Sequence, residues 1–380
     1  MKFRTRAIHV GNPPDPQTGA VVTPIHPATT FVQPGPGDWG TFDYSRSGNP
    51  TRAAVEQTMA SLEGGCGALA FASGMAATHC VTMLLSAGEK IVAGTDIYGG
   101  SYRLLHKITN RSGVEVKLVD LNDLHAFEKS LTPEVKLVWF ECIGNPRLTV
   151  PDLDKIVEIA HRHNILVGVD NTFATPVLLR PLEHGVDIVM HSATKYFGGH
   201  SDCLSGVIAV RDPELHKKLY FIQNATGAVL SPFESFLLAR GLKTLDLRVR
   251  EQCRSALKIA EFLAGHPQVE EVLYPGLATH PDHARAAKLL GGLYGAMITF
   301  AVRGGDAPAK RVCKATKLFH LAVSLGAVES LIEHPATMSH ASYDPAARAK
   351  AGIHDNLVRL SVGLEDVEDL IADLDTALNA

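Results

Sequence analysis

The sequence predicts an α/β fold, with a mostly parallel sheet in a large domain and a smaller α+β domain at the C-terminal end. Short apolar runs recur between residues 68 and 190, and stretches of helical periodicity separate them. Within a run successive residues are apolar, so both faces of the strand must be covered, as in a parallel sheet between two layers of helices. The predicted strands are Ala68–Ala72, Lys90–Ala93, Val114–Val119, Val135–Phe140, Ile165–Val169 and Val186–Met190.

Helical patterns fill most of the intervals between these strands. One begins at Thr51 and ends at the glycine pair Gly64–Gly65, and another covers residues 76–85. The stretch 152–163 has its apolar side chains on one face, with Asp152 placed as the N-cap. The C-terminal part adds helices over residues 246–264 and from Val367 onwards, and strands over residues 269–274, 296–302 and 358–362.

Three segments of different character divide the chain. Residues 1–50 are rich in glycine and proline and weakly periodic, which predicts an irregular N-terminal arm. Such an arm lies either on its own body or on a neighbouring subunit, and the second arrangement predicts an obligate oligomer. Residues 51–247 hold the alternating elements of the α/β domain, and residues 248–380 form the α+β domain.

The composition is that of an ordinary soluble globular protein, with 46% hydrophobic and 20% charged residues. A formal net charge of -4 and no long basic run argue against a nucleic-acid or membrane partner and favour a small molecule. The six cysteines form no C-x-x-C pair and the histidines lack a plausible ligand set, so we expect neither disulfides nor a metal. With no leader-like segment and no long apolar run, a cytoplasmic protein is expected.

A glycine turn after the first strand is a candidate phosphate site. Gly74 and Met75 lead into a predicted helix, and a helix N-terminus presents backbone N–H groups and a positive dipole end. An ordinary turn between a strand and a helix fits the same pattern. The nearby stretch 65–70 formally fits G-x-G-x-x-A, but its glycines precede a strand and open no helix, so a dinucleotide site is not expected.

Asp170 directly follows the apolar run Ile165–Val169. A carboxylate at the end of a buried strand needs a cation or hydrogen-bond donors, and the protonated ring nitrogen of a cofactor would serve. A capping or turn aspartate is the alternative that this position leaves open.

The stretch after the strand at 186–190 carries two hydroxyls and one amine within four residues, namely Ser192, Thr194 and Lys195. Hydroxyls bind phosphate, and an amine with a lowered pKa forms a Schiff base with an aldehyde. A plain surface lysine is one alternative, and a phosphate-binding lysine is another, although the Walker pattern is missing. Pyridoxal 5'-phosphate has an aldehyde, a pyridinium and a phosphate. The amine of Lys195 matches the aldehyde, the carboxylate of Asp170 matches the pyridinium, and the glycine turn with the two hydroxyls matches the phosphate.

Longer motifs run through nearly the whole chain. They are residues 23–31, 44–51, 72–75, 96–100, 170–172, 192–195, 324–326 and 359–364. In these motifs the sequence resembles the Cys/Met-metabolism, or trans-sulfuration, family of pyridoxal-phosphate enzymes. That family includes cystathionine γ-synthase, the cystathionine β- and γ-lyases, methionine γ-lyase and the homoserine sulfhydrylases, and the resemblance implies a fold-type-I, transferase-like architecture with residues 51–247 as the cofactor-binding domain.

The resemblance also implies a role for each matching residue. Lys195 would hold the cofactor and then move protons, with Tyr98 stacking on the ring and assisting. Asp170 would keep the pyridine nitrogen protonated, and Arg359 would bind the substrate α-carboxylate in bidentate fashion. The remaining implied contacts are phosphate binding by Gly74, Met75, Ser192 and Thr194, an Asn145 contact near the ring hydroxyl and the substrate, and orientation of the lysine or the carboxylate by Ser324.

Tyr44 and Arg46 concern the N-terminal arm. The resemblance implies that these two residues bind the cofactor phosphate of the adjacent subunit. The smallest complete unit would then be a dimer with shared active sites, paired into a homotetramer as a dimer of dimers.

Two positions bear on the reaction. Gly100 stands where methionine γ-lyases resemble one another in having a cysteine, which argues against that activity. Val323 stands where many γ-synthases and γ-lyases place a glutamate for the distal amine of the substrate. We therefore expect a carbon–sulfur lyase acting on cystathionine or a related sulfur amino acid, with β- or γ-elimination left open. The alternatives are γ-replacement by a cystathionine γ-synthase or homoserine-ester sulfhydrylase, and a pyridoxal-fold protein without enzymatic activity.

Overall fold

The computed structural model describes residues 1–380 except 342, 344–347 and 350. The chain divides into two units, each built from two stretches of sequence. Unit 1 consists of Met1–Leu84 and Arg180–Asp246, and unit 2 consists of Leu85–Leu179 and Leu247–Ala380. The predicted boundaries at residues 50 and 247 stay a prediction.

Unit 1 opens with a short helix in the predicted arm and a capped helix after it. Asn49 begins the second helix by accepting hydrogen bonds from the N–H groups of Thr51 and Arg52, and Gly64 ends it in the left-handed conformation at φ 74°. The elements are α1 (Phe3–His9), α2 (Pro50–Glu63), β1 (Gly67–Phe71), α3 (Gly74–Thr82), β6 (Ile188–His191), β7 (Gly206–Val210), α8 (Pro213–Thr226) and α9 (Pro232–Leu242). Strand β7 pairs antiparallel with β1 on one side and with β6 on the other.

Unit 2 begins with a four-stranded parallel sheet in the order β5-β4-β2-β3. The side chain of Asp152 accepts a hydrogen bond from the N–H of Lys155, which confirms it as the N-cap of α6. The elements are β2 (Lys90–Gly94), α4 (Gly99–Lys107), β3 (Glu115–Val119), α5 (Leu124–Ser130), β4 (Val135–Glu141), α6 (Leu153–Arg162), β5 (Leu166–Asp170) and α7 (Thr175–Leu178). Parallel strands alternating with helices confirm the predicted α/β class.

A second sheet of unit 2 has five strands in the order β10-β11-β12-β9-β8. Its long central pair, β9 and β12, is antiparallel, and β11 pairs antiparallel with the other side of β12. The elements are α10 (Leu245–Gly265, whose first two residues belong to unit 1), β8 (Val269–Leu273), α11 (His283–Leu289), β9 (Met297–Val302), α12 (Asp306–Ala315), β10 (His320–Leu321), β11 (Leu331–Glu333), β12 (Leu357–Ser361) and α13 (Val367–Leu378). This is the predicted mixture of helices and antiparallel strands.

Two strands that carry site residues, β6 and β12, are buried along their whole length. Every residue of β6, β7, β9 and β12 is buried. A strand covered on both faces is held rigidly, so a side chain at its end has a well-defined position. Among the described residues no helix is both long and apolar enough to cross a membrane.

Candidate active site

The loop that bears Lys195 leaves β6 and is fixed by a buried pair at its base. His191, the last residue of β6, contacts Glu63 of α2 at 2.5 Å, and both side chains are at most 1% exposed. The ring of Phe197 packs against the His191 ring with centroids 4.5 Å apart. Backbone hydrogen bonds within the loop, including those from Lys195 N to Ser192 O and from Gly199 N to Lys195 O, complete a compact turn. Lys195 is therefore half-buried on a rigid support.

The N-terminus of α3 lies against this loop. Ser73 caps the helix by accepting a hydrogen bond from the N–H of Ala76, whereas the N–H groups of Gly74 and Met75 have no acceptor within the helix. A Cβ at position 74 would lie 2.9 Å from Cβ of Ser192 and 3.1 Å from its Oγ, so glycine is needed for the close approach. The structure thus brings Gly74 and Met75 next to Ser192, in an arrangement that suits a phosphate.

Thr194 is held by the strand that follows the loop. Its Oγ1 donates to the carbonyl of Ser205 at 3.1 Å and accepts from the N–H of Ser205 at 2.9 Å. A Cβ at Gly206 would collide with the carbonyl oxygen of Ser73 at 2.3 Å. The backbone just before and at the start of β7 therefore runs directly beside both the Lys195 loop and the start of α3.

Tyr44 and Arg46 lie on the surface of unit 1. The Arg46 guanidinium carbon is 5.4 Å from the centre of the Tyr44 ring, and its Nε donates to Oδ1 of Asn224 at 3.3 Å. Beneath them Arg52, which is 2% exposed, donates from its two arms to the carbonyls of Ser45 and Arg46 at 2.7 and 3.0 Å. The buried arginine fixes the backbone of this segment and leaves the Tyr44 and Arg46 side chains exposed.

In unit 2 two carboxyl groups stand side by side at the ends of neighbouring strands. Asp170 ends β5 and is the register partner of Glu141, which ends β4. Thr172 donates to Oδ1 of Asp170 from its N–H at 2.9 Å and from its hydroxyl at 2.5 Å, which fixes the carboxylate. Burial and the neighbouring Asp170 charge raise the pKa of Glu141 well above its usual value. This shift favours the protonated form of Glu141 beside Asp170.

Tyr98 precedes α4, and its backbone N–H donates to Oε1 of Glu141 at 2.5 Å. Its ring is 39% exposed and lies over Gly100. A Cβ at Gly100 would be only 2.3 Å from Cε1 of the Tyr98 ring. The ring can occupy this position only because residue 100 has no side chain.

Arg359, Asn145 and Ser324 come together around one guanidinium group. Arg359 in β12 is 3% exposed, donates from Nη1 to Oδ1 of Asn145 at 2.9 Å, and donates from Nη2 to the carbonyl of Ser324 at 3.1 Å. Ser324 has a left-handed backbone at φ 96°, a strained conformation for a residue with a side chain. Val323 precedes it and is 59% exposed. A buried arginine with preset partners is suited to a carboxylate.

Sequence reasoning missed several polar residues that support these side chains. Glu141 ends a predicted strand just as Asp170 does, so the strand-end rule could have found it. Asp96 accepts a hydrogen bond from the Thr149 hydroxyl at 2.7 Å, and a Cβ at Gly144 would collide with its carboxylate. Glu63 is the last residue of a helix, and no local signal distinguishes it.

The close approach of Gly100 to the Tyr98 ring leaves no room for a side chain at position 100. Gly100→Ala should lower kcat/KM by about tenfold to a hundredfold, because the new methyl group displaces the Tyr98 ring. The fold should persist, since alanine is favoured over glycine inside a helix. Steady-state kinetics and a thermal melt check both statements. Gly265→Ala is the matched control, because a Cβ there meets nothing within 4 Å. Wild-type kinetics for Gly100→Ala would show that the Tyr98 ring tolerates the methyl group.

Comparison with known proteins covers the whole chain. The family of Cys/Met metabolism PLP-dependent enzymes matches residues 4–379. Cystathionine beta-lyase of Coxiella burnetii is 49% identical over 98% of this chain and 97% of its own length. The crystal structure of cystathionine gamma-lyase from Lactobacillus plantarum complexed with L-serine has a TM-score of 0.97 at 44% identity, covering 100% of this chain and 99% of that one.

Cystathionine gamma synthase from Xanthomonas oryzae pv. oryzae, solved in complex with cystathionine, has the same TM-score of 0.97 at 43% identity, over 100% of this chain and 98% of that one. The fold is therefore that of the fold-type-I pyridoxal-phosphate enzymes. Within that class, the chain belongs to the family of Cys/Met metabolism PLP-dependent enzymes. The predicted cofactor, pyridoxal 5'-phosphate, is confirmed by this membership.

The residues present fit that cofactor. The open N–H groups at the start of α3, beside Ser192, suit its phosphate. Asp170, with its carboxylate fixed by Thr172, suits a protonated ring nitrogen.

Proposed function

We propose that the protein is a carbon–sulfur lyase that cleaves cystathionine or a closely related sulfur amino acid. The proposal rests on one observation. The buried Arg359 donates to the carbonyl of Ser324, and the residue before Ser324, Val323, is apolar and exposed. Arg359, Asn145 and Ser324 provide for the α-carboxylate of an amino acid. Val323 supplies none of the charge with which many γ-synthases and γ-lyases hold the distal amine of the substrate, so this position weighs against a γ-synthase.

Pyridoxal phosphate, when bound, supplies an aldehyde and a ring that accepts the electron pair left by loss of the α-proton. The chain supplies the rest. Lys195 would hold the cofactor through its Nζ and would move the substrate α-proton, and Tyr98 would assist at the ring face. Asp170 would keep the ring nitrogen protonated, and the Gly74 and Met75 N–H groups, with Ser192 and Thr194, would bind the phosphate. Asn145 would contact the ring hydroxyl and the substrate.

Product analysis tests the proposal. The purified protein is incubated with cystathionine, and thiols and 2-oxo acids are identified. Homocysteine with pyruvate shows β-cleavage, and cysteine with 2-oxobutyrate shows γ-cleavage; either pair supports a lyase. No product from cystathionine, together with turnover of an acyl-homoserine plus cysteine, would overturn it in favour of the γ-synthase.

We further propose a homotetramer built as a dimer of dimers with shared active sites, working in the reducing cytoplasm. The predicted arm supports the oligomer, because Val21, Val32 and Trp39 are 78%, 98% and 69% exposed, which is unfavourable for apolar side chains in water. Six free cysteines support a reducing compartment. Exposed Tyr44 and Arg46 are available to a neighbouring subunit.

Arg46→Ala should weaken cofactor retention without unfolding the chain, because the lost cation would no longer bind the phosphate of the neighbouring site. Absorbance after dialysis measures the cofactor retained, and circular dichroism measures the fold. Arg211→Ala is the control, as Arg211 is also an exposed arginine of unit 1. Full occupancy in Arg46→Ala would show that this residue does not contribute to a shared site.

A further inference from the structure

A closed circuit of polar contacts surrounds the inner side of Arg359 and includes Glu333, Ser339 and His340. Arg359 Nη1 is 3.0 Å from Oε1 of Glu333, its register partner on the neighbouring strand β11. The Ser339 hydroxyl donates to that same Oε1 at 2.5 Å. Ser339 Oγ is also 2.9 Å from Nδ1 of His340, and Nε2 of His340 is 3.0 Å from the carbonyl of Asn145.

The circuit closes because the side chain of Asn145 accepts from Arg359. It therefore links the side chain of Asn145 to its own carbonyl through four other residues. Asn145, Glu333, His340 and Arg359 are at most 3% exposed. Buried polar groups that satisfy one another in this way hold each other in a single arrangement, and removing one member leaves its partner with an unmet hydrogen bond.

The protonation of His340 fits a positioning role. Burial, with the nearby Arg359 charge, lowers the pKa of His340 to about 4, so the ring is neutral at physiological pH. A carbonyl oxygen only accepts, so the ring proton on Nε2 is directed at Asn145, and the carbonyl of Ile97 is a second acceptor at the ring. Nδ1 is then an acceptor, and the single proton of the Ser339 hydroxyl is donated either to Oε1 of Glu333 or to Nδ1. This hydroxyl connects the Arg359 ion pair to the backbone of Asn145.

The circuit also determines which edge of Arg359 is open. Nη1 is occupied by Asn145 and Glu333, and one Nη2 proton is directed at Ser324. Among the described residues, Nε of Arg359 has no hydrogen-bond partner although it is buried. Two donors, Nε–H and the second Nη2 proton, form the fork that matches the two oxygens of a carboxylate.

We propose that Glu333, Ser339 and His340 are positioning residues that hold Arg359 and Asn145 so that the Nε/Nη2 edge receives the α-carboxylate of the amino-acid substrate. This deepens the proposed function and rests on it for the identity of the substrate. None of the three residues touches the substrate itself. Their effect is on carboxylate affinity, and they leave the chemistry of the lysine unchanged.

Ser339→Ala tests the proposal, because it breaks the circuit without changing any charge. The holoenzyme is titrated with L-alanine, which has a carboxylate and no leaving group, and with ethylamine, which lacks the carboxylate; the visible absorbance of the cofactor reports binding. We expect L-alanine to bind about tenfold more weakly to Ser339→Ala, with ethylamine unchanged. Ser339→Thr, which keeps the hydroxyl, should restore binding. Thr337→Ala is the matched control, since its hydroxyl contacts His334 outside the circuit.

Glu333→Gln tests whether L-alanine affinity rises or falls when the charge of Glu333 is removed. If Glu333 acted only through its charge, removing it would strengthen the attraction of Arg359 for a carboxylate and tighten L-alanine binding. A positioning role predicts weaker binding. Unchanged L-alanine affinity in Ser339→Ala, or equal losses for L-alanine and ethylamine, would overturn the inference. If the circuit variants behave as expected but cystathionine gives no product, the proposed reaction fails and the assignment of these residues stands.

Discussion

Replacing Lys195 with alanine is expected to lower kcat by about 10³-fold or more, because the same amine binds the aldehyde and moves the α-proton. The fold should survive. The backbone hydrogen bonds of Lys195 that shape the loop are retained in the variant, and the buried His191 and Glu63 pair that anchors the loop is untouched. Steady-state turnover of cystathionine, with a thermal melt, measures both effects.

Lys217→Ala is the matched control for that experiment. Lys217 is a lysine of the same unit, 70% exposed in its side chain and paired with Glu214 on α8. It should retain wild-type turnover. If Lys195→Ala kept more than about a tenth of the activity, the amine would not be the group that the chemistry requires.

Asp170→Asn is expected to lower kcat by about a hundredfold or more, because a neutral amide cannot hold a proton on the ring nitrogen. The amide oxygen can still accept the hydrogen bonds that Thr172 donates, so the end of β5 should keep its conformation. Measuring kcat with pyridoxal phosphate at saturating concentration distinguishes a slower reaction from weaker binding of the cofactor.

Glu141→Gln distinguishes the two strand-end carboxyls. Because the raised pKa favours the protonated form of Glu141, which glutamine resembles, activity should stay within about threefold of wild type. A carboxyl with a raised folded pKa contributes stability that is fully present below its ordinary pKa of 4.5 and is lost as pH rises through the folded pKa, so the variant should lose less stability as pH rises above 4.5. Urea unfolding at two pH values measures this. A large activity loss in Glu141→Gln with a mild Asp170→Asn would reverse the assignment.

Features that follow from local pattern were predicted well from the sequence. The parallel strands of unit 2 are apolar runs of the expected length, and Asp152 caps its helix as expected. The same rule that drew attention to Asp170 also applies to Glu141, which it failed to identify. Strand β7, the run Gly206–Val210, was missed although all its residues are apolar and buried. The helix α1 within the arm was also not predicted, because seven residues give too little periodicity.

The supporting contacts depend on tertiary structure and could not be predicted. Glu333 meets Arg359 only because β11 pairs antiparallel with β12, and nothing near either residue in the sequence indicates that register. The contact of Gly100 with the Tyr98 ring depends on how the chain enters α4. Motif resemblance located the candidate residues, and the structure added the groups that hold them.

Borohydride reduction followed by peptide mapping tests the central claim most directly. Borohydride fixes the bond between a lysine amine and the cofactor aldehyde carbon, so the modified residue can be identified by mass spectrometry. A yellow protein should lose its visible absorbance on reduction and carry the pyridoxyl group on Lys195. A label on another lysine, or a colourless protein that takes up none, would contradict the account.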